Sequence, residues 1–230
     1  GLLSPTAQVS GSARISDVEL VGLPDHEMRR LRGTDLAMIF QDPSRSLNPT
    51  MKIGLQIVEA VCAHEKVERR QAVERGIELL RLVRLPAPER RFHEYPHQLS
   101  GGMRQRVMIA IALAGNPRVL IADEATTALD VMVQAQVLDL ISDLVRERGV
   151  GLIMISHDLS VLADTCDQVA VMYAGKVVEL GPGHEVFASP NHPYSDALAG
   201  AFPVIGDGAA RHRPRGLPGD PPDPTDLPDG

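Results

Sequence analysis

Two runs of this chain carry residue types that could act on phosphate. The first is the acidic pair Asp123-Glu124, which closes the apolar stretch Val119-Leu120-Ile121-Ala122 and precedes Ala125-Thr126-Thr127-Ala128-Leu129-Asp130. Two carboxylates at the end of a buried strand suit a divalent ion and an attacking water. The first can hold Mg²⁺, and the second can orient or deprotonate the water. The second run is Leu99-Ser100-Gly101-Gly102-Met103-Arg104-Gln105-Arg106, with Ser100 standing 23 residues before Asp123. A Ser-Gly-Gly turn opening a helix is an anion site, because the first backbone N–H groups have no partner inside the helix. Glycine lets a phosphate approach the backbone, and the serine hydroxyl can donate to it. Two single residues join these runs. His157, in Ser156-His157-Asp158, follows the apolar segment 151–155, and Gln41 follows the apolar segment 36–40 before Asp42-Pro43. A lone histidine at a strand end reads as structural. Parallel α/β sheets, however, present ligands at the carboxyl ends of their strands, so His157 and Glu124 are expected to face one crevice. The Gln41 amide could reach Mg²⁺ or the water, and could move when a partner pushes the adjoining loop.

The elements that must position these residues follow from periodicity. Residues 36–40, 119–122 and 151–155 are continuous apolar runs of strand length,. Between the last two, Val133, Val137, Leu140, Ile141, Leu144 and Val145 mark one face of an amphipathic helix,. That β-α-β order predicts parallel strands with a right-handed crossover. Met103, Val107, Ile111 and Ala114 recur at helical spacing, so a helix follows the Ser-Gly-Gly turn. Residues 53–84 read as two helices with a break near 64–67, and Pro86, Pro88 and Pro96 as a loop leading to Leu99,. Upstream, residues 15–20 read as a strand and 25–32 as a short helix with an acidic cap, ended by Gly33. Residues 169–173 and 176–180 flank Ala174-Gly175, a hairpin signal. Residues 203–230, dominated by Pro, Gly and Asp, are not expected to pack a core.

Composition narrows the function classes. With 23 Lys and Arg against 30 Asp and Glu the formal charge is −7, which argues against broad nucleic-acid affinity. The two cysteines, Cys62 and Cys166, fit no metal spacing and read as buried thiols in a reducing cytosol,. No apolar run approaches the roughly 20 residues of a membrane helix. His64-Glu65 and His93-Glu94 belong to no His-Glu-x-x-His helix, and Arg29, Arg30 and Arg32 read as a solvated helix face,.

These residues together resemble the nucleotide-binding subunit of an ATP-binding-cassette transporter. Leu99 to Arg106 is similar to the family signature, Val119 to Glu124 to its Walker B strand, and Ala128-Leu129-Asp130 to its D-loop. His157 is similar to its switch histidine and Gln41 to its Q-loop glutamine. Within the family, Ala37-Met38-Ile39-Phe40-Gln41-Asp42-Pro43 with Ser46-Leu47-Asn48-Pro49 resembles importers of dipeptides, oligopeptides and nickel. So do Tyr95-Pro96-His97-Gln98 and His192-Pro193-Tyr194. Ala125 stands where the family usually has proline. No Gly-x-x-x-x-Gly-Lys-Ser/Thr occurs in the chain, and the resemblance places that Walker A loop just upstream of Gly1-Leu2-Leu3. The sequence therefore reads as N-terminally truncated, and these 230 residues alone are expected not to hydrolyse ATP.

The resemblance implies an α/β, RecA-like P-loop NTPase core with an inserted helical subdomain. It divides the chain into 1–49 (core remainder with Gln41), 50–100 (helical subdomain ending in the signature), 101–188 (core) and 189–230 (importer-type extension). Implied too are ATP and Mg²⁺, with Asp123 and Gln41 at the metal, Glu124 activating water and His157 contacting the γ-phosphate. Ser100, Gly101 and Gly102 would face ATP held by a second ATP-binding subunit, in a homo- or heterodimer, and Asp130 would link the two sites. Permease subunits would dock through coupling helices at Gln41 and the helical subdomain. An extracellular solute-binding protein would act indirectly, and no nucleic acid is expected. The location implied is peripheral, on the cytoplasmic face of the cell membrane. Two other readings compete: a soluble cassette ATPase of DNA repair or translation, and a non-catalytic remnant. The 59-residue step from Gln41 to Ser100 leaves no room for the coiled coil or zinc insertion that some soluble relatives carry.

Overall fold

The computed structural model describes residues 4, 6–127 and 129–201; Ala128, Gly1-Leu2-Leu3 and the Pro-rich stretch 203–230 lie outside them. The chain forms two compact units, Gly1–Ile155 and Ser156–Gly230.

The first unit opens with β1 (Arg14–Ile15) and β2 (Val18–Glu19), paired antiparallel. The single strand expected over 15–20 is thus a tight hairpin, because Ser16 enters the left-handed region at φ 52° and turns the chain back,. The Glu19 carboxylate fastens it by accepting from the Ser12 hydroxyl and the Ala13 and Val21 N–H groups, which lower its pKa. Helix α1 (Asp25–Leu31) follows, with Pro24 in the N-cap position, so Asp25 is not the cap. Asp25 instead pairs with Arg29 at 3.0 Å and Arg32 at 3.3 Å, which accounts for the solvated arginine face.

Strand β3 (Leu36–Ile39) enters the core, and Asp42 then caps the short α2 (Pro43–Ser46) by accepting from the Ser44 N–H at 2.8 Å. Helices α3 (Ile53–His64) and α4 (Arg69–Leu82) fall on either side of the expected break. The proline segment is more ordered than the expected loop. It holds α5 (Pro88–Arg91) and a 3-10 turn (Pro96–Gln98), each starting on a proline at the first helical position, where a missing N–H costs nothing,. This segment also serves α3, whose first N–H groups would otherwise be orphans. Ile53 N–H donates to Glu94 O at 2.9 Å and Gly54 N–H to Phe92 O at 3.0 Å.

Helix α6 (Gly101–Ala112), strand β4 (Val119–Asp123), helix α7 (Val131–Arg148) and strand β5 (Gly151–Ile155) complete the unit. Strands β3, β4 and β5 form a parallel sheet in that order, with Ile39 beside Ala122 and Asp123 beside Ile155. Helix α6 buries Gly102, Gln105, Val107, Met108, Ile109, Ala110 and Ala112, so it is enclosed rather than amphipathic. Its apolar residues meet Ile39, Leu120, Ile57, Leu79, Leu80, Leu140 and Ile141 in one core. On β5, Leu152 and Met154 pack toward that core, while Ile153 and Ile155 are 52% and 49% exposed. Cys62 lies on the outer side of α3 and is exposed, against the expectation of buried thiols. Cys166 of the second unit is half-buried, and burial together with Asp167 raises its pKa.

The second unit holds α8 (Leu159–Thr165), β6 (Gln168–Tyr173), β7 (Lys176–Pro182), α9 (Gly183–Ala188) and α10 (Pro193–Ala201). Strands β6 and β7 make the expected hairpin, with Ala174 and Gly175 at φ 50° and 76°. Paired positive φ values match the turn to the strand twist. Leu159, Val169, Val171 and Val186 are its buried centre. The Glu179 carboxylate on β7 accepts from Asn191 N–H at 2.8 Å and His192 N–H at 3.1 Å, and Tyr194 rests against Tyr173 with ring centroids 4.6 Å apart. His192-Pro193-Tyr194 is thereby fastened to the hairpin. The Asn191 N–H is the leading cause of a lowered Glu179 pKa.

A folded pKa below the unfolded value of about 4.3 gives a contribution that is complete above that value and is lost as pH falls through the folded pKa. Acid titration followed by the Tyr194 ring resonances should therefore show the 191–194 segment leaving β7 only at a pH below the ordinary glutamate range,. Glu179→Gln should abolish that acid step; a step that persisted would place the titrating group elsewhere.

Candidate functional site

Gln41 and Glu124 meet because their strands are paired in register. Ile39 lies beside Ala122, and Gln41 and Glu124 each stand two residues further on. Gln41 Nε2 donates to Glu124 Oε2 at 2.5 Å. Of the residues singled out from sequence, these two are brought into direct contact across 83 positions of chain.

Glu124 has a φ of 44°, a left-handed backbone that costs a non-glycine residue roughly 1–2 kcal/mol. Its surroundings hold it there. Glu124 N–H donates to Ile155 O at 2.9 Å, extending the β4–β5 ladder past its end, and Thr127 N–H donates to Glu124 O at 3.1 Å. The Thr127 hydroxyl donates to Glu124 Oε2 at 3.0 Å, on the same oxygen that Gln41 reaches. Asp123, half-buried, is the last residue of β4.

The Ser-Gly-Gly turn begins α6 as expected. Ser100 is its N-cap, with Oγ accepting from Met103 N–H at 3.4 Å. Gly102 has a packing duty that the sequence did not reveal. A Cβ there would lie 2.3 Å from Val133 Cγ1, so the starts of α6 and α7 approach closely only because position 102 is glycine,. Asp130 caps α7 by accepting from Val133 N–H at 3.0 Å.

Arg104 ties the signature to the loop beyond Gln41. Its Nε donates to Pro96 O at 2.8 Å and its Nη1 to Ser44 Oγ at 3.4 Å. A cleft of about 520 Å³ opens here, lined among others by Gln41, Arg45, Gly101, Arg104, Gln105 and Thr127. Gln105 is only 1% exposed, and its Nε2 has no hydrogen-bond partner among the described residues.

His157 stands in the second unit, exposed, one residue before the α8 cap Asp158. Asp158 Oδ1 accepts from Ser160 N–H at 3.0 Å and Val161 N–H at 3.3 Å.

Magnesium is bound through one or two carboxylates plus substrate phosphates rather than by a full protein cage. Asp123 is the carboxylate that ends β4, and no group of three or more His, Cys, Asp and Glu gathers among the described residues. No helix of the described residues is long and apolar enough to cross a membrane.

Comparison with known proteins identifies the family. The ABC transporter family matches residues 1–127, and the oligopeptide/dipeptide transporter C-terminal region matches residues 178–230. The oligopeptide transport ATP-binding protein OppD of Bacillus subtilis is 50% identical over 92% of this chain, which spans 59% of that protein. OppD of Haemophilus influenzae is 48% identical over the whole chain and 71% of its own length. A dimeric ATP-binding cassette solved in a post-hydrolysis state with ADP and phosphate is 27% identical, with a TM-score of 0.67 over 75% of this chain and 73% of that one.

Three substitutions test the packing. Gly102→Ala should destabilise the fold by about 1–3 kcal/mol, and Val133→Ala in the same chain should recover part of it, as denaturant midpoints will show. Gln105→Met, which removes a buried donor lacking an acceptor, should leave the midpoint unchanged or raised. A clear fall would mean that the amide makes a bond essential to folding.

Proposed function

Because this chain belongs to the ABC transporter family of ATP-binding proteins, we propose that the protein carrying it hydrolyses ATP to drive peptide import across the cytoplasmic membrane. The Gln41–Glu124 hydrogen bond carries the reading. It joins the loop a membrane partner would push to the carboxylate that would activate water. Peptide as cargo is supported by the C-terminal region at 178–230 and by the names of the most similar relatives.

In this reading Asp123 holds Mg²⁺, with Gln41 as a further ligand when the site is loaded. The ion supplies charge neutralisation on the phosphates. Glu124 is the base that takes the water's proton, and His157 donates to the γ-phosphate. The N-terminus of α6, with Ser100, Gly101 and Gly102, offers N–H groups to ATP bound by a second ATP-binding subunit. Asp130 links the two sites. The four-part division at 49, 100 and 188 belongs to the same reading, with the helical segment and the loop after Gln41 receiving the coupling helices of the permease. A solute-binding protein outside the membrane acts on the permease and only indirectly on this chain. The subunit is peripheral, on the cytoplasmic face.

The chain holds no Gly-x-x-x-x-Gly-Lys-Ser/Thr loop. The 230 residues alone should therefore show only background ATPase activity. In the complex of the whole protein with its permease, phosphate release should be stimulated by peptide-loaded binding protein. Glu124→Gln should lower it by about 100-fold or more, the scale of losing a general base. Phosphate release unaffected by Glu124→Gln would end this assignment.

A further inference from the structure

Thr127 stands in the turn between Glu124 and Asp130. Its backbone N–H closes the turn on Glu124 O at 3.1 Å, and its hydroxyl donates to Glu124 Oε2 at 3.0 Å. A threonine that only closed a turn would not need that second bond. The oxygen it reaches is the one held by Gln41 Nε2, so the carboxylate is gripped from two elements: the loop after β3 and the turn after β4. The Glu124 backbone, at φ 44°, directs the side chain into this grip. Thr127 also lines the cleft beside Gln41, whose charged lining residues are Asp42, Arg45 and Arg104.

We infer that Thr127 is a positioning residue for Glu124: its hydroxyl, with the Gln41 amide, holds one carboxylate oxygen and so sets the direction from which the side chain meets water. The inference rests on the proposed role of Glu124 as base. Gln41 sits on a loop open to a partner, whereas Thr127 sits on the same turn as Glu124. When Gln41 is drawn away, the Thr127 bond keeps the carboxylate aimed. Removing the hydroxyl without changing the shape therefore affects the chemical step and leaves nucleotide affinity alone. Losing orientation at a reacting group can cost rate by one to two powers of ten.

The experiment compares Thr127→Val, which is isosteric without the hydroxyl, with Thr127→Ser, which retains it. In the whole protein assembled with its permease, Thr127→Val should lower kcat by about 10-fold or more, with KM for ATP within about twofold of the parent. Thr127→Ser should restore most of kcat. A second measurement needs no hydrolysis. In the whole protein labelled with ¹³C-carboxyl glutamate, the Glu124 signal is identified by its loss in Glu124→Gln. At one fixed pH that signal should shift in Thr127→Val and stay near its parent position in Thr127→Ser. A parent complex without ATPase activity would defeat the proposed function while leaving the carboxylate signal to decide the role of Thr127. An unshifted signal in Thr127→Val, or equal kcat losses in the Val and Ser variants, would overturn the positioning role.

Discussion

The in-register parallel pairing of β3 with β4 is the constraint on which the site depends. Side chains alternate along a strand, so a slip of β3 by one residue would turn Gln41 away from Glu124 and would also move Ala37 and Ile39 out of the core,. Burial and site geometry are therefore set by one register. The packing of α6 on the inner face makes a slip costly, and the contact between the amide and the carboxylate follows from it. The Glu124 N–H bond to Ile155 O adds the third strand to the same alignment.

Helix α6 distributes this constraint through the first unit. It is enclosed over most of its circumference, so its position is fixed by apolar contact on several sides. Arg104 and Arg106 carry polar ties outward from it. Arg106 Nη1 donates to Val83 O at 2.9 Å, at the end of α4. Arg104 reaches both Pro96 O and Ser44 Oγ. The turn that would meet a second subunit's nucleotide is thus joined through one side chain to the loop following Gln41.

Much of this was readable from the residues, and the failures have local causes. Strands, the two long helices and the Ala174-Gly175 hairpin follow from periodicity and turn chemistry, and the family follows from the order of Gln41, Ser100, Asp123, Glu124 and His157. The hairpin at 15–20 was hidden because a serine, rather than glycine, takes the left-handed turn position. The helix at 88–91 was hidden because prolines signal a break, although at a first helical position they are well accommodated. Cys62 stands beside the buried face of α3 formed by Ile57, Val58 and Val61, so the apolar character of its side chain alone misleads. The Gln41–Glu124 contact and the Thr127 bond depend on strand register and on the φ of one residue, neither of which sequence spacing encodes. The sequence marks Gly102 as part of a turn opening a helix, whereas its pairing with Val133 depends on how two helices approach.

That last pairing has a consequence for how such a sequence can drift. Positions 102 and 133 share a single volume: a branched side chain at 133 is compatible only with the smallest residue at 102. An exchange of Gly102 in a descendant of this chain must be preceded by a smaller residue at 133. Packing against Val133 is by itself enough to demand glycine at 102, so a glycine in this place is not by itself a record of nucleotide contact.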